Sequence, residues 1–87
     1  MVMKMDKIIV KLYVPMLEEI YDVSIPSHKR IYNVILLLVK AINELNDNSY
    51  KPKKMPLLYD KLTAEVFDVN LKVKDSNIRS GMEIILL

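Results

Sequence analysis

The residues of this chain that could act in acid-base catalysis are spread along the sequence. The acidic candidates fall at predicted turns and strand ends, at Glu18, Glu19, Asp60, Asp68 and Asp75. His28 is the single histidine and there is no cysteine, so no zinc site built from His and Cys ligands can form. Gly81 is the single glycine, which excludes a glycine-rich phosphate-binding loop. The sequence therefore predicts a non-enzymatic protein with no catalytic residues, no metal and no cofactor.

The elements that must position any functional residue are few, because the chain has 87 residues, of which 52% are hydrophobic. A chain of this size buries about 60–65% of its unfolded surface, so we expect residues 1–87 to form a single domain. Residues 1–6 show no secretion signal, and the longest apolar run, at 34–39, is far shorter than the ~20 residues of a membrane-spanning helix. We expect a cytoplasmic protein with no direct membrane insertion.

Two alternating segments predict an N-terminal β-hairpin. In residues 7–14, one face carries Ile8, Val10, Leu12 and Val14, and the other carries Ile9, Lys11 and Tyr13. Residues 15–18 supply the turn. Residues 19–25 resume the alternation, with Tyr21, Val23 and Ile25 on one face and Ile20, Asp22 and Ser24 on the other.

A change of period after Pro26 predicts one long helix. Ser27 is the expected N-cap, and residues 46–49 end the helix. Its buried face follows three-four spacing through Ile31, Val34, Ile35, Leu38, Ile42 and Leu45. Further strands are expected at 57–59, 64–67 and 82–87, the last of them entered through Gly81 in a left-handed conformation. The prediction is an α+β fold of order β-β-α-β-β-β, with a mixed sheet and one main helix on one face.

Two stretches of the sequence resemble a known family. They are Val23-Ser-Ile-Pro26 leading into Ile31-Tyr-Asn-Val-Ile35, and Asp75-Ser-Asn-Ile-Arg-Ser-Gly81 leading into Ile84-Ile-Leu-Leu87. Over about residues 7–87 the chain resembles the YukD/EsaB-like family of small bacterial ubiquitin-like, or β-grasp, proteins. It departs from the family pattern in the loop at 46–55. It departs again at Ala64, where glycine is common.

The resemblance implies a cytoplasmic accessory or regulatory protein of the type VII (ESX/Ess-like) secretion system of Gram-positive bacteria. That system exports small helical WXG-type proteins. Members of the family are non-enzymatic and bind other parts of the machinery, so the implied partner is a protein component of type VII secretion. The sequence ends at Leu87 without a Gly-Gly tail, and we therefore expect no conjugation to targets or sulfur-carrier activity.

In a β-grasp sheet the first and last strands lie side by side, so their outward positions form one patch. The predicted partner-binding residues are Ile9, Lys11, Tyr13, Glu83, Ile85 and Leu87, extended by Met16 and Leu17 in the hairpin turn. An exposed apolar area of this kind often marks a protein-binding site. The alternative is that β-propensity alone places Ile and Tyr there.

The helix offers a second candidate interface, an apolar stripe formed by Tyr32, Leu36 and Val39. The Lys-rich loop, which we define as residues 50–56, could cover this stripe. A wide contact with the core, a second copy of the chain in a homodimer, or a partner protein could also do so.

Nucleic acid is a less favoured partner, because the net charge is only +2. The basic residues Lys51, Lys53 and Lys54 do cluster beside Tyr50, between two prolines. An alternative function is therefore a small basic β-grasp module that binds RNA through this loop. A solvated connection between helix and strand accounts for the same lysines.

Overall fold

The computed structural model describes residues 7–87. Residues 1–6, for which the sequence predicts no secretion signal, lie outside this range. The described elements are strands β1 Lys7–Val14, β2 Glu19–Pro26, β3 Leu58–Asp60 and β4 Glu83–Leu86, and one helix, α1 Ile31–Leu45. Short 3₁₀ turns occupy Pro15–Leu17 and Val73–Asp75.

The strands form one mixed sheet in the order β2-β1-β4-β3. β1 pairs antiparallel with β2 and parallel with β4, and β3 pairs antiparallel with β4. The expected α+β architecture, with one helix and the first and last strands adjacent, is confirmed.

The expected strand at 64–67 does not form. Its contact with the sheet is a single bridge between Tyr59 and Val66. The chain turns sharply before this bridge, where the Ala64 N–H donates to the Asp60 carbonyl at 2.8 Å and Ala64 takes a φ of 63°. It turns again after Phe67, because the Asp68 carboxylate accepts from the backbone N–H of Asn70 at 2.9 Å. Too few residues remain between the two turns for a ladder.

The hydrophobic core lies between α1 and one face of the sheet. The alternation of β1 is confirmed, since Val10, Leu12 and Val14 are buried whereas Ile9 is exposed. The helix buries Ile31, Val34, Ile35, Leu38 and Ile42, as its spacing predicts.

The prediction for Leu45 is wrong, because this side chain is 71% exposed. The next residue, Asn46, ties the end of the helix to the hairpin instead. Its side-chain amide donates to the Tyr21 hydroxyl at 3.1 Å and to the Ile42 carbonyl at 2.8 Å.

Ser27 is not the N-cap of α1, which was also predicted wrongly. The helix begins at Ile31 with Arg30 as N-cap and no side-chain cap. Its first N–H groups donate to backbone carbonyls of a distant segment, Ile31 to Leu71 at 2.8 Å and Tyr32 to Val69 at 3.0 Å. Because these carbonyls satisfy the exposed donors of the first turn, a capping side chain is unnecessary.

The turn before β4 sets the last strand beside the first. Gly81 takes the expected positive φ, at 88°. Its N–H donates to the Ile9 carbonyl at 2.8 Å, and the Lys11 N–H donates to the Met82 carbonyl at 2.9 Å. These bonds fix the parallel register of β1 and β4 and therefore the positions of the outward-facing side chains.

Candidate protein-binding surface

The face of the sheet that points away from α1 carries a row of apolar side chains. The register places Ile20 of β2 opposite Tyr13 of β1, Tyr13 beside Ile85 of β4, and Ile85 opposite Tyr59 of β3. Tyr13, Ile85 and Tyr59 each adjoin a buried residue in their strands, so their side chains lie on the outer face. Ile20 is paired with Tyr13 and therefore lies on the same face. Ile20 is 60% exposed. Each of the four strands thus contributes one residue to a continuous apolar row.

A row of alternating charges runs beside the apolar row. Asp22, Lys11 and Glu83 are neighbours in register, and Lys61 follows directly after β3. The ammonium of Lys11 lies 3.1 Å from the Asp22 carboxylate, and that of Lys61 lies 3.0 Å from the Glu83 carboxylate. Exposed pairs of this kind contribute roughly 0–1 kcal/mol to folding, so we assign them no large structural role.

Exposed apolar residues flank the two rows on both sides, at opposite ends of the strands. Leu62, in the turn after β3, is 93% exposed and borders a depression of about 480 Å³ with Met82 and Glu83. On the other side, beyond the apolar row, Met16 and Leu87 line a groove of about 360 Å³ together with residues of the Lys-rich loop. We call the two rows together with Leu62, Met16 and Leu87 the outer-sheet surface.

The structure brings together most of the residues predicted to bind a partner. Lys11, Tyr13, Glu83 and Ile85 are neighbours in the two rows. Ile9, Met16 and Leu87 are exposed. Leu17 differs from the rest, because its side chain packs against the core.

Five members of this surface were not predicted from the sequence: Ile20, Asp22, Tyr59, Lys61 and Leu62. The hairpin alternation already placed Ile20 opposite the core face, and a four-residue turn sets it across from Tyr13. The alternation of β3 could likewise have placed Tyr59. For Leu62 the sequence carries no signal, since exposure at a turn depends on the path of the chain.

The predicted helix stripe is only partly exposed. Tyr32 and Leu36 are exposed, whereas Val39 packs against the core. Leu37, which was not predicted, is exposed on the opposite flank of α1 and lines a groove beside β2.

The Lys-rich loop does not form the RNA platform that its composition suggested. Tyr50 is 2% exposed and belongs to the core, so its ring is not free to stack on a base. Its backbone N–H donates to the Asn43 side-chain oxygen at 3.0 Å. Burial raises the pKa of the Tyr50 hydroxyl above its ordinary value. Lys51, Lys53 and Lys54 are exposed but lack the aromatic partner.

Within residues 7–87, no group of three or more His, Asp or Glu side chains is placed to hold a metal ion. Across the same range, no helix combines the length and apolarity needed to cross a membrane.

No family model matches this chain, and no curated protein matches it. Solved structures do. The ubiquitin-like domain of the type VII secretion protein ECCD1 from Mycobacterium tuberculosis superposes with a TM-score of 0.74 at 11% identity, covering 95% of this chain and 99% of that domain. The chain has a ubiquitin-like β-grasp fold.

Two further structures show how widely this fold is used. A chain of the MycP5-free ESX-5 inner membrane complex matches with a TM-score of 0.75 at 10% identity, covering 94% of this chain and 21% of that one. A chain of the toluene 4-monooxygenase HD complex matches with a TM-score of 0.65 at 7% identity, covering 93% and 99%. At such identities the likeness shows the fold alone.

Proposed function

We propose that this protein is an accessory or regulatory component of a type VII secretion system, of the YukD/EsaB-like kind found in Gram-positive bacteria. It has no catalytic role and binds another protein of the apparatus in the cytoplasm. The outer-sheet surface is the binding site. The observation that carries this proposal is the apolar row across all four strands, bordered by charges of alternating sign.

The chemistry of the surface supports recognition of a protein. Ile20, Tyr13, Ile85 and Tyr59 supply apolar contact area with two aromatic rings, the composition enriched at the centres of interfaces. Lys11, Asp22, Lys61 and Glu83 supply a polar rim that can fix the register of a partner without costing a buried charge.

The pathway is supported by two independent observations. The strand-Pro-helix junction and the C-terminal stretch resemble the YukD/EsaB-like family. Ubiquitin-like domains of type VII secretion proteins share the fold over 93–95% of this chain. The toluene 4-monooxygenase chain has the same fold in another setting, so the pathway needs a direct test.

The test is export of the small WXG-type proteins by the native host. Deletion should reduce export, and the wild-type gene should restore it. Two exposed positions give a matched pair: Ile20→Glu, on the outer-sheet surface, should not restore export, whereas Leu36→Glu, on the helix, should. Both variants are first shown by circular dichroism to be folded.

Unchanged export after deletion would remove the secretion assignment. If Ile20→Glu restores export as well as Leu36→Glu does, the outer-sheet surface is not the binding site.

A further inference from the structure

Among the strands of residues 7–87, β2 is the terminal strand of the sheet, so one of its edges has no partner strand within that range. The backbone hydrogen bonds of β1 identify which backbone groups of β2 point toward this edge. The Lys11 N–H donates to the carbonyl of Met82, the residue just before β4, so the backbone groups of Lys11 face β4 and those of the preceding residue, Val10, face β2. Val10 is paired with Val23, so the backbone of Val23 faces β1. Alternation then turns the N–H and C=O groups of Ile20, Asp22 and Ser24 toward the free edge.

Within residues 7–87, no backbone group bonds to Ile20, Asp22 or Ser24 from outside the sheet. Pro26 ends this edge, since proline has no N–H to offer. The exposed edge is therefore a short template for one further strand.

An apolar groove of about 270 Å³ runs along this edge between β2 and α1. Its walls include Val23 and Ile25 from the strand and Leu37 and Ala41 from the helix. Leu37 is 46% exposed, so a large apolar side chain stands at the lip of the groove.

The two ends of β2 carry opposite charges. Lys7 is paired with Pro26, and Lys29 is exposed shortly after it, which makes this end basic. Glu18 and Glu19 are exposed at the other end. Glu44 joins them, because the Asn46–Tyr21 hydrogen bond of 3.1 Å holds the last turn of α1 near that end.

We propose that β2 pairs with β2 of a second copy of this chain, antiparallel about a two-fold axis. This arrangement sets the acidic end of each copy beside the basic end of the other, so the charge pattern complements itself. It also lays the two Leu37–Ala41 flanks against each other.

The side chains select one register. Centring the axis on Asp22 would place two carboxylates directly opposite each other, which is destabilising. Centring it on Val23 pairs Asp22 with Ser24 of the other copy, and Tyr21 with Ile25 on the core side. Of these two registers, the one with Val23 on the axis is the one we assign to the dimer, and it joins the two four-stranded sheets into one of eight strands.

Sedimentation equilibrium tests the dimer over a thousandfold range of concentration reaching about 1 mM, because small interfaces are weak. We expect a monomer-dimer equilibrium. Amide hydrogen exchange should show that Ile20, Asp22 and Ser24 gain protection as the concentration rises. Their neighbours Tyr21 and Val23, already bonded within the sheet, should stay protected throughout.

Two variants locate the contact. Ser24→Pro removes an outward donor from each copy without breaking a bond inside the sheet, and should weaken dimerisation at least about tenfold. Leu37→Lys should weaken it too, whereas Leu36→Lys, on the other flank of α1, should not. Because the chain has no native cysteine, Val23→Cys should form an intermolecular disulfide on oxidation.

A protein that remains monomeric up to 1 mM overturns the proposal. So does a dimer that resists both Ser24→Pro and Leu37→Lys, or one in which the three edge amides gain no protection. None of these three results bears on the secretion assignment, which rests on the outer-sheet surface and the export test.

Discussion

Replacing Ala64 by glycine should stabilise the protein. Ala64 has a φ of 63° and closes the turn after β3 through its 2.8 Å bond to the Asp60 carbonyl. The left-handed conformation costs a residue with a Cβ roughly 1–2 kcal/mol, a cost that glycine avoids. Glycine also has more conformational entropy than alanine in the unfolded chain, and this offsets about 0.4–1 kcal/mol of the gain. We expect a net gain of about 0.5–1 kcal/mol in the free energy of unfolding.

Urea and thermal unfolding followed by circular dichroism measure this difference. A gain of that size raises the Tm by about 2–8 °C in a domain of this length. Leu62→Gly is the matched control in the same turn, because its φ is negative and its side chain is 93% exposed. Leu62→Gly raises the conformational entropy of the unfolded chain without relieving strain in the folded state, so its free energy of unfolding should fall. An Ala64→Gly variant no more stable than the wild type would refute the reasoning about this turn.

Three further predictions concern the core, the helix and the pH dependence of stability. Leu12→Ala, at a fully buried position, should cost about 2–5 kcal/mol in urea unfolding, and a loss below 1 kcal/mol would show that the site is not close-packed. Leu36→Glu should leave cooperative unfolding intact, because this side chain is exposed; loss of cooperativity would assign it to the core. The raised pKa of Tyr50 favours the neutral hydroxyl in the folded state, so its contribution is complete below an unfolded pKa of 10.0 and is lost as the pH rises through the folded value. Tyr50→Phe should therefore lose stability less steeply than the wild type in alkaline solution, and equal slopes would contradict this.

Local patterns predicted those elements whose residues contact near neighbours in sequence. The alternation of Val10, Leu12 and Val14 defined the first strand, and the three-four spacing from Ile31 to Ile42 defined the buried face of the helix. In both cases the core contacts one face of a regular element, so the period carries the information.

The sequence did not predict features that depend on contacts between distant segments. Serine is a common N-cap residue, but the first N–H groups of α1 donate to the backbone carbonyls of Val69 and Leu71, and the helix does not begin at Ser27. Leu45 continues the helical period, yet the hairpin is bonded to Asn46 in its place. Each outcome depends on a contact between segments more than twenty residues apart. A local periodic pattern carries no information about such contacts.

The outer-sheet surface was predicted in part for the same reason. Adjacency of the first and last strands followed from the fold, and it correctly brought Tyr13 and Ile85 together. The contributions of Ile20 and Tyr59 complete the row only when the register of all four strands is known.

Photocrosslinking in the living host tests the binding claim most directly. A photoreactive phenylalanine analogue is placed at Ile20, at Leu62 and, as control, at Leu36, and the crosslinked protein is identified by mass spectrometry. We predict that positions 20 and 62 crosslink to the same protein component of the type VII apparatus, and that position 36 does not. Crosslinks from position 36 alone, or a common partner outside the apparatus, would contradict it.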